Sequence, residues 1–132
     1  MSFIEMSFDG VKEAVPAPEG EYPLVINSAE LTKSKAGNPQ IVVGIGFEGT
    51  DEFMGFRHYL SLPGPDDEED KAKFKKIFLK RFLQVFDIPT DGAGFNVEDF
   101  FGARGFCAVG QTEPNDAGDI FNDLRLPKFK ED

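Results

Sequence analysis

Three pairs of side chains carry the chemistry in this sequence: Arg57 with Tyr59, Arg104 with Phe106, and Phe121 with Arg125. The members of each pair lie an even number of residues apart, so in an extended strand both fall on one side. A guanidinium donates strong, charge-assisted hydrogen bonds to phosphate oxygens. An aromatic ring stacks on an unpaired base whatever its identity, a contact worth about 1–3 kcal/mol per base. Arginine beside an aromatic, repeated on three strands, therefore suits a single-stranded nucleic acid if those sides face outward. Alternation has no fixed sign, however, and the opposite sense would bury Phe106 and Phe121 in a core.

A second basic feature is the polar run Lys33-Ser34-Lys35-Ala36-Gly37-Asn38-Pro39. Lys33, Lys35 and Asn38 on a flexible turn could follow a phosphate backbone, and an ordinary hairpin loop is the equal alternative. Lys71, Lys73, Lys75, Lys76, Lys80 and Arg81 also look like a nucleic-acid stripe. They follow the acidic run Asp66–Asp70, which offers i,i+4 partners such as Asp67–Lys71 and Glu69–Lys73, so a solvated helix face is the reading adopted. The same run begins a helix where the macrodipole favours negative charge. It lacks the spaced oxygen ligands and central glycine of a calcium loop.

Catalytic constellations are missing from the sequence. The single histidine, His58, falls among the aliphatic positions of its strand, as expected for a partly buried side chain. The single cysteine, Cys107, sits in mid-strand and not at a helix N-terminus that would activate it. Phosphate-cradling glycine loops and nucleophile elbows do not occur. The expectation is a binding protein with no cofactor, not an enzyme.

The elements that would position these residues follow from periodicity. Tyr22, Leu24 and Ile26 predict a first strand over residues 22–31. Ile41, Val43, Ile45 and Phe47 predict a second, with Gly44 and Gly46 marking curvature or close backbone approach. A third is predicted over residues 53–62, with Met54, Phe56, His58, Leu60 and Leu62 on one face and Phe53, Arg57 and Tyr59 on the other. Pro63-Gly64-Pro65 stops it. A helix then runs to about Asp87, its apolar positions being Phe74, Ile77, Phe78, Phe82, Val85 and Phe86. A short helix over residues 97–101 and strands over 103–112 and 119–126 complete the chain. Three strands, a helix and two strands is the order of a five-stranded OB-fold barrel with its helix between strands 3 and 4. An α+β roll of the same elements is the alternative.

At 132 residues the chain suits one domain, able to bury roughly two-thirds of its unfolded surface. With fifteen Phe, two Tyr and no Trp, many of the Phe must fill the core. The net charge of −10 opposes phosphate binding in bulk, yet the placement of charge decides the field at a groove. No apolar run approaches the roughly 20 residues that span a bilayer, and the acidic N-terminus is unlike a secretory signal. With one cysteine, a cytoplasmic location is expected.

Several stretches resemble the OB-fold single-stranded-DNA-binding proteins of bacteriophages. They are Pro18-Glu19-Gly20-Glu21-Tyr22, Ala29-Glu30-Leu31 with the Lys33–Pro39 loop, His58-Tyr59-Leu60-Ser61-Leu62, Phe86-Asp87-Ile88-Pro89, and Phe101-Gly102-Ala103-Arg104-Gly105. Together they span residues 18–128, and the loop is the most specific. The resemblance implies coating of displaced single-stranded DNA in replication or recombination, in the host cytoplasm if the chain is phage-encoded. Replication proteins would be partners, and Lys33, Lys35, Arg57, Tyr59 and Arg104 are the positions it carries over. Such proteins commonly end in an acidic tail that recruits partners. This chain ends Lys128-Phe129-Lys130-Glu131-Asp132, a departure that weakens that expectation.

The organisation expected is an N-terminal arm (1–19), a binding domain (20–128) and a short tail (129–132). The apolar arm residues Phe3, Ile4, Met6 and Phe8 either pack on their own barrel or add a strand to a second copy, making a homodimer. The competing functional reading is an OB-fold protein-interaction or DNA-mimicking module, which the acidic charge would suit.

Overall fold

Period-two alternation carries five segments into strands: β1 (Gly20–Lys33), β2 (Pro39–Phe47), β3 (Phe56–Ser61), β4 (Arg104–Gln111) and β5 (Asn122–Arg125). Helix α1 (Glu69–Val85) lies between β3 and β4, and a 3-10 turn (Val97–Phe100) precedes β4. The computed structural model describes residues 2–128; the expected tail, 129–132, lies outside the described residues. All strand pairings are antiparallel, in the order β3-β2-β1-β4-β5. The outer strands β3 and β5 approach each other, so the sheet curls into a nearly closed barrel. This is the OB-fold architecture, with its helix between strands 3 and 4.

The inner face collects Leu24 and Ile26 of β1, Ile41, Val43 and Ile45 of β2, Phe56 and Leu60 of β3, Cys107 and Val109 of β4, and Leu124 of β5. Against them α1 presents Leu79, Phe82 and Leu83, followed by Phe86, the i, i+3, i+4, i+7 stripe of a core-facing helix. Phe82 stacks on Phe100 and packs on Phe86, so the phenylalanine surplus is partly spent in closing the barrel. The helix ends in a Schellman motif. The Ile88 N–H donates to Leu83 O and the Asp87 N–H to Gln84 O, with Asp87 left-handed at φ 51°. Gly105 admits this end of the helix, because a Cβ there would strike the Val85 carbonyl. Among the described residues no helix is long and apolar enough to cross a membrane.

Four sequence expectations change. Phe74 and Phe78 leave the core stripe and are exposed, since only the C-terminal half of α1 sits on the sheet. Phe53 is not on the outward face with Arg57 and Tyr59. It precedes β3 and packs edge-on against Tyr22 and Phe47, bridged to Val15. The strands β3 and β5 are shorter than predicted and β1 is longer, with an irregularity between Ile26 and Ser28. There Gly46 makes room for Asn27, since a Cβ would come within 2.5 Å of its Nδ2.

The end of the N-terminal arm is fastened to the barrel. Ala17 is fully buried, and buried Asn122 accepts a hydrogen bond from its N–H (2.8 Å) and donates from Nδ2 to its carbonyl (2.9 Å). Phe3, Ile4, Met6 and Phe8 remain exposed.

A candidate nucleic-acid interface on the outer sheet face

Pairing register fixes which outward side chains are neighbours. Tyr59 lies opposite Val42, which faces Glu30; Arg57 lies opposite Gly44, which faces Ser28. Past the irregularity in β1, Val25 lies between Gly46 and Arg104, Pro23 opposite Phe106, and Ala108 between Glu21 and Arg125. One curved outer face therefore carries Tyr59 and Arg57 on one bank and Arg104, Phe106 and Arg125 on the other. At the centre of its floor are small residues, Gly44, Gly46 and Ser28, flanked by Val25 and Val42. Three inter-strand spacings of about 4.8 Å separate the strands bearing Arg57 and Arg104. Tyr59 is 55% exposed and Phe106 62%, so both rings can receive a stacking partner.

The remaining predicted positions lie at the two ends of this face. The β1–β2 hairpin is closed by Ser34 N–H to Asn38 O (2.8 Å) and Gly37 N–H to Ser34 O (2.9 Å), with Gly37 at φ 85°. That turn leaves Lys33, Lys35 and Asn38 exposed beyond the Tyr59 end. Alternation puts Lys33 on the side of Leu31, not of Tyr59, so it reaches the face only from the rim. Phe121 does not join the track. It precedes β5, where its carbonyl accepts from the Thr112 N–H at the far end of β4, three rows from Phe106.

Electrostatics divide the face. Arg104 Nη1 lies 3.3 Å from Glu48 Oε1, and Arg125 Nε donates to Asp123 Oδ1 at 2.8 Å. The Asp123 carboxylate raises the Arg125 pKa above its ordinary value. Arg57 is exposed and, among the described residues, makes no ion pair. Glu21 and Glu30 also fall on this face by alternation, two acidic residues absent from the site expected from sequence.

An aromatic was missed as well. Phe101 is exposed beside Asn27 and Ser28 at the irregularity in β1, three residues before Arg104. Its signal in the sequence is the run Phe101-Gly102-Ala103-Arg104, where Phe101 falls both at the end of the predicted short helix and in a stretch that carries the family resemblance.

Beneath β3, His58 stacks face to face on Phe82, with centroids 5.5 Å apart. Burial lowers its pKa from 6.5 to about 4, against a smaller opposing pull from Asp123. Burial likewise raises the pKa of the Cys107 thiol, which is unsuited to nucleophilic work. Asp67 organises the start of α1: it accepts from the Gly64 N–H and from Lys75 Nζ (2.7 Å), and these contacts hold its carboxyl below the usual range. The expected Asp67–Lys71 pair is present at 3.9 Å and is the weaker of the two. Among the described residues no group of three or more His, Cys, Asp or Glu is placed to hold a metal ion. No protein-family model matches this chain, and no curated protein matches it.

Proposed function

We propose that this protein binds single-stranded DNA without sequence preference, protecting it during replication or recombination, and is a binding protein in the cytoplasm and not an enzyme. The observation that carries this reading is the outer barrel face, where Arg57 with Tyr59 and Arg104 with Phe106 stand exposed on either side of a floor with small residues at its centre. Guanidinium groups would hold phosphates while the rings stack on bases, so no base edge need be read. Lys33, Lys35 and Asn38 would grip the strand at the rim, and Arg125 would join once released from Asp123. Replication proteins and a second copy of the chain, reached through the N-terminal arm, are the partners that accompany this reading.

The second reading, an acidic protein-interaction or DNA-mimicking module, is favoured by a specific observation. Glu21, Glu30, Glu48 and Asp123 share the face with three arginines and hold two of them. Fluorescence anisotropy of a labelled thymine oligonucleotide, titrated at two salt concentrations beside a duplex, separates the two. Single-strand-selective binding that weakens steeply with salt is expected. Absence of binding at low salt would transfer the face to a protein partner.

A further inference from the structure

The exposed phenylalanines of α1 line a groove. Phe74 is 63% exposed and Phe78 51%, and with Leu126, Leu79 and the β3 residues His58–Ser61 they enclose about 710 Å³. The wall formed by β3 is an unpaired edge. The Leu62 N–H donates to Pro39 O, so by ladder alternation the even-numbered residues of β3 bond to β2. The N–H and C=O of Tyr59 and Ser61 consequently point into the groove, without a main-chain partner among the described residues. An open edge beside an apolar trough is a template for one added strand.

The same molecule carries such a strand. Ile4, Met6 and Phe8 alternate with Glu5, Ser7 and Asp9, and all three apolar side chains are exposed. We infer that Ile4–Phe8 of one copy pairs with the free edge of β3 in a second copy, burying its apolar side chains against Phe74 and Phe78. The inference gives a place to the association through the arm mentioned above, and it holds whether or not the outer face binds DNA.

Direction and length assign the arm to the second copy. The bridge between Val15 and Phe53 is parallel, so the chain before Val15 runs past Glu52 and Asp51, away from Tyr59 and Ser61. The Val11 N–H then donates to Phe8 O in a tight turn around Gly10. That turn reverses the chain, but Phe8 back to Ile4 only retraces the length of Val11–Val15 and ends level with Phe53, about six residues short of Tyr59. To pair with its own β3 edge the segment would have to give up the turn or the Val15 bridge. A neighbour's groove requires neither.

The test is sedimentation velocity of the full chain, without nucleic acid, across a wide concentration range. Wild type should associate reversibly. Met6→Asp and Phe74→Asp, both at exposed positions, should each weaken association by about tenfold or more, the effect of withdrawing one buried side chain of this size. Circular dichroism checks that both remain folded. The deciding arm mixes the two variants: one keeps an intact groove and the other an intact arm, so heteroassociation should return. Monomeric wild type, undiminished association of Met6→Asp, or a mixture no better than either variant alone would each overturn the inference. Because DNA is absent, these outcomes are separate from the single-strand-binding test.

Discussion

The β4–β5 side of the barrel and the β3 side differ in what they do with polar groups. On β5, buried Asn122 has both ends bonded: Oδ1 accepts from the Ala17 N–H, and Nδ2 donates to the carbonyls of Ala17 and Gly110 (3.0 Å). Outside, Arg125 is held by Asp123 and Arg104 by Glu48. On β3, the inward-facing polar group is the half-buried His58, stacked on a phenylalanine. Outside it Arg57 has no ion pair among the described residues, and the main-chain edge is unpaired. One side spends its hydrogen-bonding capacity internally and acts as scaffold. The other leaves capacity open, at a cost in desolvation, and capacity left open is what a ligand can use.

Breaking the satisfied side should produce the largest effect. Asn122→Ala leaves the Ala17 N–H and the Gly110 carbonyl without their partner in a buried site, and should cost about 3–5 kcal/mol of folding stability. Denaturant unfolding measures it, and a loss under 1 kcal/mol would mean that water enters the site.

The unsatisfied side should show itself through pH. His58 is protonated below about 6.5 when unfolded but only below about 4 when folded. Between those values the unfolded state binds more protons, so stability falls as pH drops through that window and levels off below it. The total is about 3 kcal/mol. Asp67 adds loss in the same direction at lower pH, as its depressed carboxyl is protonated. The quantity to compare is therefore the pH dependence of wild type against His58→Gln, which should lack the component between pH 6.5 and 4.

The smallest effects sharpen the comparison on the outer face. Arg57→Ala should weaken single-strand binding by about tenfold and reduce the salt slope by about 0.7, the contribution of one phosphate contact. Glu48→Gln should do the reverse at Arg104. Releasing an exposed ion pair is worth about 0–1 kcal/mol, so affinity should rise by about fivefold at most. If Glu48→Gln instead abolishes association with a protein partner, the acidic reading of the face gains.

Much of the architecture was legible because it follows from local periodicity. Ile41, Val43, Ile45 and Phe47 alternate strictly, and a strand with one buried face has little choice of register. Pro63-Gly64-Pro65 and Ile88-Pro89 mark where elements stop, since proline cannot continue them. The phenylalanine stripe of α1 was misjudged because helical spacing does not reveal how far a helix overhangs its sheet. Phe74 and Phe78 obey the same period as Phe82 and differ only in what lies opposite.

The sequence by itself determined which residue types are available at which parity: arginine and aromatic together on three strands, and an apolar alternation in the arm. These are properties of neighbours along the chain, set by the geometry of an extended backbone. Only the tertiary structure decided the sign of each face, the pairing of Arg104 with Glu48 across 56 residues of chain, the fastening of Ala17 by Asn122 across 105, and the separation of Phe121 from the other aromatics. Each depends on strand register and barrel closure, which bring distant segments within hydrogen-bonding range and which no local period encodes.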